Sequence, residues 1–250
     1  ASARLGTDAA FDEGQMKIGR RLAIKLLNAS KFVLSFEPAE GISEVTEAVD
    51  QSLLLNLAEV VKDATTAFEN YDHTKALEVA EQFFWNFTDN YLELVKERAY
   101  GQGDYTPAEQ ASAAVALRKA LHTMLRLFAP FLPFATDEVW SWWQTGAGSI
   151  HRASWPKPEE LTEGLDPSNL SVLELAKEAL FGLRKAKSDE KVSMKAAVES
   201  ATLVSPAAVL STLKLLEADF KAVGKIADLV FEEGEEFAVK NVVLADVEEA

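Results

Sequence analysis

Between residues 17 and 32, Lys17, Arg21, Lys25, Asn28 and Phe32 follow one another at steps of four, four, three and four. That spacing places all five on one face of a helix. Arg20 and Lys31 flank the stripe, while Ile18, Leu22, Leu26 and Val33 fall on a different face suited to a core. Cations within reach of phosphates, an amide able to pair with a base edge and a ring able to stack on a base are the parts with which proteins read single-stranded RNA. The same pattern also fits a solvated charged face whose Phe32 tucks against a neighbouring helix.

Two further basic sets are candidate secondary RNA contacts. Arg118, His122 and Arg126 repeat at steps of four, with His122 reading as a structural histidine rather than a base. Arg184, Lys185, Lys187, Lys191 and Lys195 straddle a predicted helix C-terminus, where the helix dipole favours cations in any case. Phe84 and Trp85 read as packing residues.

Catalysis finds no foothold, so no catalytic and no metal-binding residues are assigned. There is no glycine-rich phosphate loop and no Gly-x-Ser-x-Gly turn. The 250 residues include no cysteine, which removes disulfides, thiolate metal sites and a cysteine nucleophile together. His73, His122 and His151 lie far apart and never at the i, i+4 spacing of a helical metal site. The carboxylates fall on exposed helical faces and in Glu-rich turns such as Glu232–Glu236, which reads as a solvated acidic surface.

The net charge of −15 taken alone argues against a nucleic-acid partner. Its distribution does not: residues 1–36 and 111–158 each carry +3, whereas 37–110 carry −12 and 159–250 carry −9. The longest apolar stretches are a few residues, too short for a membrane span. The N-terminus lacks the pattern of a signal peptide, so a cytoplasmic location is expected.

The elements that must hold these residues read as consecutive amphipathic helices up to about Trp143. Asp12 and Gln15 form a predicted capping box, with Phe11 and Met16 as its hydrophobic staple, opening a helix to about Phe36, where Pro38 and Gly41 break it. A second helix is expected over Thr46–Asn70, and a third from Tyr71-Asp72 to Gly101 and Gly103. Thr106, Pro107 and Glu109 start a fourth that ends at Pro130. A short helix from Thr136 bears Trp140 and Trp143. The fold class is therefore mostly α: an antiparallel helix bundle over 1–145, a Gly/Ser/Pro-rich linker over 146–170, and a small α+β domain over 171–250. In the last part a helix runs from Ser171 to about Lys187, a strand covers Ala201–Val204, and a helix begins at Ser205-Pro206. Leu229–Glu232 and Phe237–Val247 then alternate as strands around a Gly234 turn.

The same residues carry a family resemblance. Gly6-Thr7-Asp8 followed by Gln15–Phe32 resembles the start of the anticodon-binding bundle of bacterial valyl-tRNA synthetases. Phe84–Lys96, Ala129–Trp140, Ser149-Ile150 and Trp155-Pro156 continue the likeness in the same order. It covers the whole bundle and points to the class I subgroup of valyl, isoleucyl and leucyl enzymes, with the valyl choice resting mainly on the first run. The tail resembles the small C-terminal module that follows the bundle.

The resemblance implies that Asn28 and Phe32 face an anticodon loop, with Lys17, Arg20, Arg21, Lys25 and Lys31 as neighbouring contacts. It implies as partners a valine tRNA and the rest of a synthetase chain, the chain itself being a monomer. ATP belongs to a catalytic domain whose His-x-Gly-His and Lys-Met-Ser-Lys-Ser signatures are missing, Lys191-Val192-Ser193-Met194-Lys195 being a lookalike in the wrong place. The chain is thus expected to be a C-terminal fragment that holds tRNA without itself aminoacylating it, and that needs no cofactor. Two alternatives stand: the same bundle from an isoleucyl or leucyl enzyme, and a helical scaffold that binds protein through its acidic surface.

Overall fold

Leu22, Leu26, Ala29 and Val33, buried at steps of four, three and four, fix one face of α1 (Glu13–Leu34) against α5 (Pro107–Phe128) and α6 (Pro133–Trp143). The computed structural model describes Gly6 and residues 11–37 and 41–245, so the expected break at Pro38 lies outside the described residues. Asp12 caps α1, but its carboxylate accepts from Gly14 N at 2.7 Å, not through a box with Gln15. Phe11 and Met16 are exposed, so the expected staple does not form.

Helix α2 (Ala48–Glu69) buries two adjoining stripes, through Val49, Leu53, Leu57 and Val61 and through Leu54 and Ala58, because it has neighbours on several sides. Helix α3 (His73–Asn86) opens at Asp72, whose carboxylate accepts from Lys75 N. It then passes through a π turn, Phe87–Tyr91, into α4 (Leu92–Ala99). One extra residue in that turn rotates α4 by about 100° relative to α3. Phe87, Tyr91, Leu94, Val95 and Arg98 all face inward as a result.

The start of α5 (Pro107–Phe128) is as expected. Thr106 Oγ1 accepts from Glu109 N, Glu109 Oε2 accepts from Thr106 N at 2.7 Å, and Pro107 takes the first helical position. This helix is buried along most of its length and forms the centre of the bundle. Helix α6 (Pro133–Trp143) begins three residues before the expected Thr136, because Pro133 itself suits the first position. Thr136 sits inside the first turn and donates to Leu132 O.

Residues 146–170, whose composition reads as a linker, form a strap held against α2. Ile150 and Leu161 are buried in the common core. Trp155 donates to Thr65 Oγ1 at 2.9 Å and meets Phe68 edge-on. Gln51 Oε1 accepts from Asp166 N and Asn169 Nδ2. A short helix, α7 (Glu159–Thr162), lies within the strap.

Beyond it come α8 (Val172–Asp189), β1 (Val198–Ser205), α9 (Ala207–Lys214), α10 (Glu217–Gly224), β2 (Ile226–Glu233) and β3 (Ala238–Leu244). The helix expected after Ser205-Pro206 is two helices, broken at Leu215-Leu216. The strands flanking Gly234 do not pair with each other. The sheet order is β2-β1-β3, with β1 parallel to β2 and antiparallel to β3. Gly234 instead crosses the end of β1: its N–H donates to Ser205 O, and a side chain there would strike Val204 Cγ1. The expected strand end at Val247 lies outside the described residues.

The bundle and the tail share one buried charge network. Arg98 on α4 uses all five of its guanidinium N–H groups. Nη1 and Nη2 donate to the two carboxylate oxygens of Asp50 at 2.8 and 2.9 Å. Nε and Nη2 donate to Asp219 on α10 at 3.1 and 3.2 Å, and Nη1 also reaches Glu109 O. Tyr91 and Ser112 donate to Asp50, and Tyr105 to Asp219. Burial pulls Arg98 down, but its two carboxylate partners hold it well above its ordinary value. Burial pushes Asp219 up even against the pull of Arg98.

Candidate nucleic-acid interface

Helix α1 lies beside the end of α3 so that the basic stripe forms one wall of a shallow groove of about 380 Å³. Lys17, Arg20, Arg21, Lys25 and Asn28 line it together with Ile24, and the other wall is Trp85 with Asp89 of the π turn. The structure thus brings together five of the seven residues expected to meet RNA on this helix. The Arg21 guanidinium sits 5.6 Å from the Trp85 ring centre and the Lys25 ammonium 5.9 Å from it, both within cation–π range. Lys25 also donates to Asp89 Oδ1 at 3.2 Å. Among the described residues no carboxylate comes within ion-pair distance of Lys17, Arg20 or Arg21. Asn28 is exposed, and its amide has no partner among the described residues.

Phe32 and Lys31 stand apart from this groove. Phe32 is half-buried, with its ring edge-to-face against Phe36 at 4.8 Å and Tyr100 at 5.6 Å, and Lys96 lies over it. It therefore packs rather than presenting a free stacking face, and the reason is helical geometry. Phe32 is one residue from the buried Val33, about 100° around the helix, at the border of the two faces. Lys31 turns the other way, toward the Trp142 ring on α6.

The second stripe is structural. Arg126 is 6% exposed and bonds Glu160 of the strap at 2.6 Å, so its charge is not presented to a ligand. Arg118 donates to Phe36 O at 2.9 Å, closing the end of α1. His122 stacks on Trp140, and burial, helped by the charge of Arg126, lowers it to about 4. It is neutral near pH 7.

The third set divides. Lys187 is buried and donates to Met194 O, Ala196 O and Gly224 O, which removes it from the surface. Arg184 holds the π turn, donating to Asp89 O at 2.8 Å and Asn90 Oδ1 at 3.0 Å. Lys185, Lys191 and Lys195 are exposed.

Trp85 is the groove residue that sequence reasoning missed. It follows the inward-facing Phe84, so periodicity places it at the edge of the core. Only the placement of α1 beside it shows that its exposed part borders the basic stripe. Asp89 was missed for a similar reason, since its position depends on the π turn. Among the described residues no helix is long and apolar enough to cross a membrane.

Comparison with known proteins gives the family of the bundle. Residues 50–202 match the family model described as the anticodon-binding domain of tRNA ligase. The valine–tRNA ligase of Thermobifida fusca is 54% identical over 235 residues, covering 93% of this chain and 26% of that protein. That of Salinispora arenicola is 51% identical over 247 residues, covering 91% and 28%. That of Leifsonia xyli is 49% identical over 254 residues, covering the whole chain and 29% of that protein. The chain spans little more than a quarter of the length of these curated relatives. With a bundle of this architecture, and with more than half of its residues matched by the family model, the chain belongs to the family of anticodon-binding domains of tRNA ligases.

Proposed function

We propose that this chain is the anticodon-reading module of a valine–tRNA ligase, and that the groove between α1 and Trp85 is where it meets valine tRNA. The observation that carries the reading is a run of exposed cations without carboxylate partners among the described residues, set beside an open amide and a tryptophan face, in a chain of net charge −15. Phosphate contacts from Lys17, Arg20 and Arg21 would set the register, and Asn28 would read a base edge. Phe32 packs against Phe36 and Tyr100 rather than stacking on RNA. The names of the relatives support the choice of valine. In this reading the chain supplies no catalytic residue and no cofactor site. ATP is handled by the rest of the parent enzyme, and the module works as a monomer in the cytoplasm.

A salt titration of RNA affinity tests this. Arg21→Ala should weaken binding to valine tRNA and to an unrelated tRNA alike, and lower the salt slope by about 0.7–0.9, one phosphate's worth. Asn28→Ala should leave the slope intact and lose about 1–3 kcal/mol on valine tRNA only. Unchanged affinity and slope in both variants, with the fold intact, would reduce this face to solvated surface.

A further inference from the structure

A second basic concavity lies where the tail meets the bundle. A cleft of about 750 Å³ opens between α4, α8 and α10, lined by Lys96, Arg184, Lys187, Lys195 and Lys225 against two carboxylates, Glu97 and Glu93, the latter 3.9 Å from the Lys96 ammonium across an exposed pair that a phosphate can displace. Leu180, Leu183, Tyr100 and Val223 contribute its apolar part.

Lys187 builds the rim of this cleft. Its ammonium is surrounded by three backbone carbonyls, Met194 O at 3.1 Å, Ala196 O at 2.8 Å and Gly224 O at 2.7 Å. Those bonds tie the segment after α8 to the end of α10. They hold Lys195, between two of the acceptors in sequence, and Lys225, next to the third, on the same cleft. Among the described residues no carboxylate lies within 4 Å of Lys187, Lys195 or Lys225. The crowding is physical: burial, with the charge of Lys225 added, keeps Lys187 below its ordinary value.

Lys225 also sits at φ 51°, in the left-handed region that usually falls to glycine after a helix. A helix dipole explains a cation near that end. It does not explain gathering three cations without a counter-charge in an acidic chain.

The cleft is linked to the groove on α1 through one residue. Arg184, on its wall, grips the backbone of Asp89, whose carboxylate takes Lys25 on the other side. The π turn is thus the shared border of the two basic sites. A phosphodiester backbone carries many charges and can engage both basic sites at once, which a single small anion cannot.

We propose that the cleft between α4, α8 and α10 is a second RNA contact, in which Lys195, Lys225 and Lys96 neutralise phosphodiester groups of the same tRNA that lies in the α1 groove. The proposal rests on the reading of that groove as an RNA site, and the test separates the two. The variant is Lys195→Gln with Lys225→Gln in the full chain. Both side chains are exposed, and glutamine leaves the strain at position 225 as it was.

With a tRNA transcript as probe, the salt slope should fall by about 1.4–1.8, two phosphates' worth, with affinity reduced and thermal stability unchanged. Lys96→Gln, on the bundle side, is the independent check and should lower the slope by about 0.7–0.9. If slope and affinity hold in both cleft variants while Arg21→Ala still lowers them, the cleft is not an RNA contact and the groove reading stands. If Arg21→Ala is silent too, both readings fall, as they do if the unaltered chain binds no tRNA. Loss of tripolyphosphate binding in the double variant, with tRNA binding intact, would make the cleft a small-anion site and overturn the proposal.

Discussion

Arg21 and Arg98 are arginines on two helices of one bundle, yet the structure uses them in opposite ways. Arg98 is 2% exposed, with every donor bonded and two carboxylates against its one charge. Arg21 is exposed, has an aromatic face beside it, and lacks a carboxylate partner among the described residues. A buried ion pair is maintained because removing either partner strands the other in a medium that cannot solvate it. An exposed cation has no such obligation, and water satisfies it until a phosphate arrives. Residue type therefore says little about role in this chain. Whether the charge is already answered from within separates architecture from interface. Arg126 and Lys187 fall on the side of Arg98.

The contrast can be broken most severely at Arg98. Arg98→Ala leaves Asp50 and Asp219 buried without their cation and should lower unfolding stability by about 3–5 kcal/mol in a denaturant titration. A loss no larger than that of a surface substitution would show that the network is not a structural anchor.

Asp89 sharpens the other side. Among the described residues it is the one carboxylate lining the groove, and it occupies Lys25, so it competes with any phosphate for that ammonium. Asp89→Asn should raise tRNA affinity by about two- to fivefold, the ~0.5–1 kcal/mol expected from releasing an exposed ion pair. Weaker binding would mean that Asp89 takes part in holding RNA.

A third test, confined to acidic pH, concerns His122. Its folded-state value of about 4 lies below the ordinary 6.5, so between those pH values the unfolded chain takes up a proton that the folded chain refuses. Stability should rise with pH across that window and level off above it. His122→Gln should flatten this part of the profile in melting curves taken from pH 4 to 7. An unaltered slope would mean that the imidazole is protonated in the fold.

The sequence makes these distinctions partly visible. The start of α5 is legible because Thr106, Pro107 and Glu109 act over three residues, through bonds their own types dictate. The α1 stripe is legible because helical period alone puts its residues on one face. Arg98 is not, since its carboxylates lie 48 and 121 residues away and an arginine on a short helix reads as surface. The π turn has no residue signature, so the positions of Trp85 and Asp89 beside α1 stay hidden. Strand order fails for a related reason: a glycine between two strands suggests a hairpin, and only the central place of β1 shows that Gly234 makes a crossing instead. Composition misleads over 146–170, where Ile150, Trp155 and Leu161 anchor a strap among Gly, Ser and Pro.

The Arg98 network also bears on the order in which the chain acquires its structure. Asp50 and Arg98 leave the ribosome long before Asp219, and until α10 arrives Nε has no carboxylate and the flank of Arg98 is uncovered. A nascent bundle therefore holds a half-dressed charge at its edge. Completion waits on a contact spanning 121 residues, the kind of long-range closure that slows folding. Because its last polar partner comes from the tail, the bundle gains its full stability only when the tail docks.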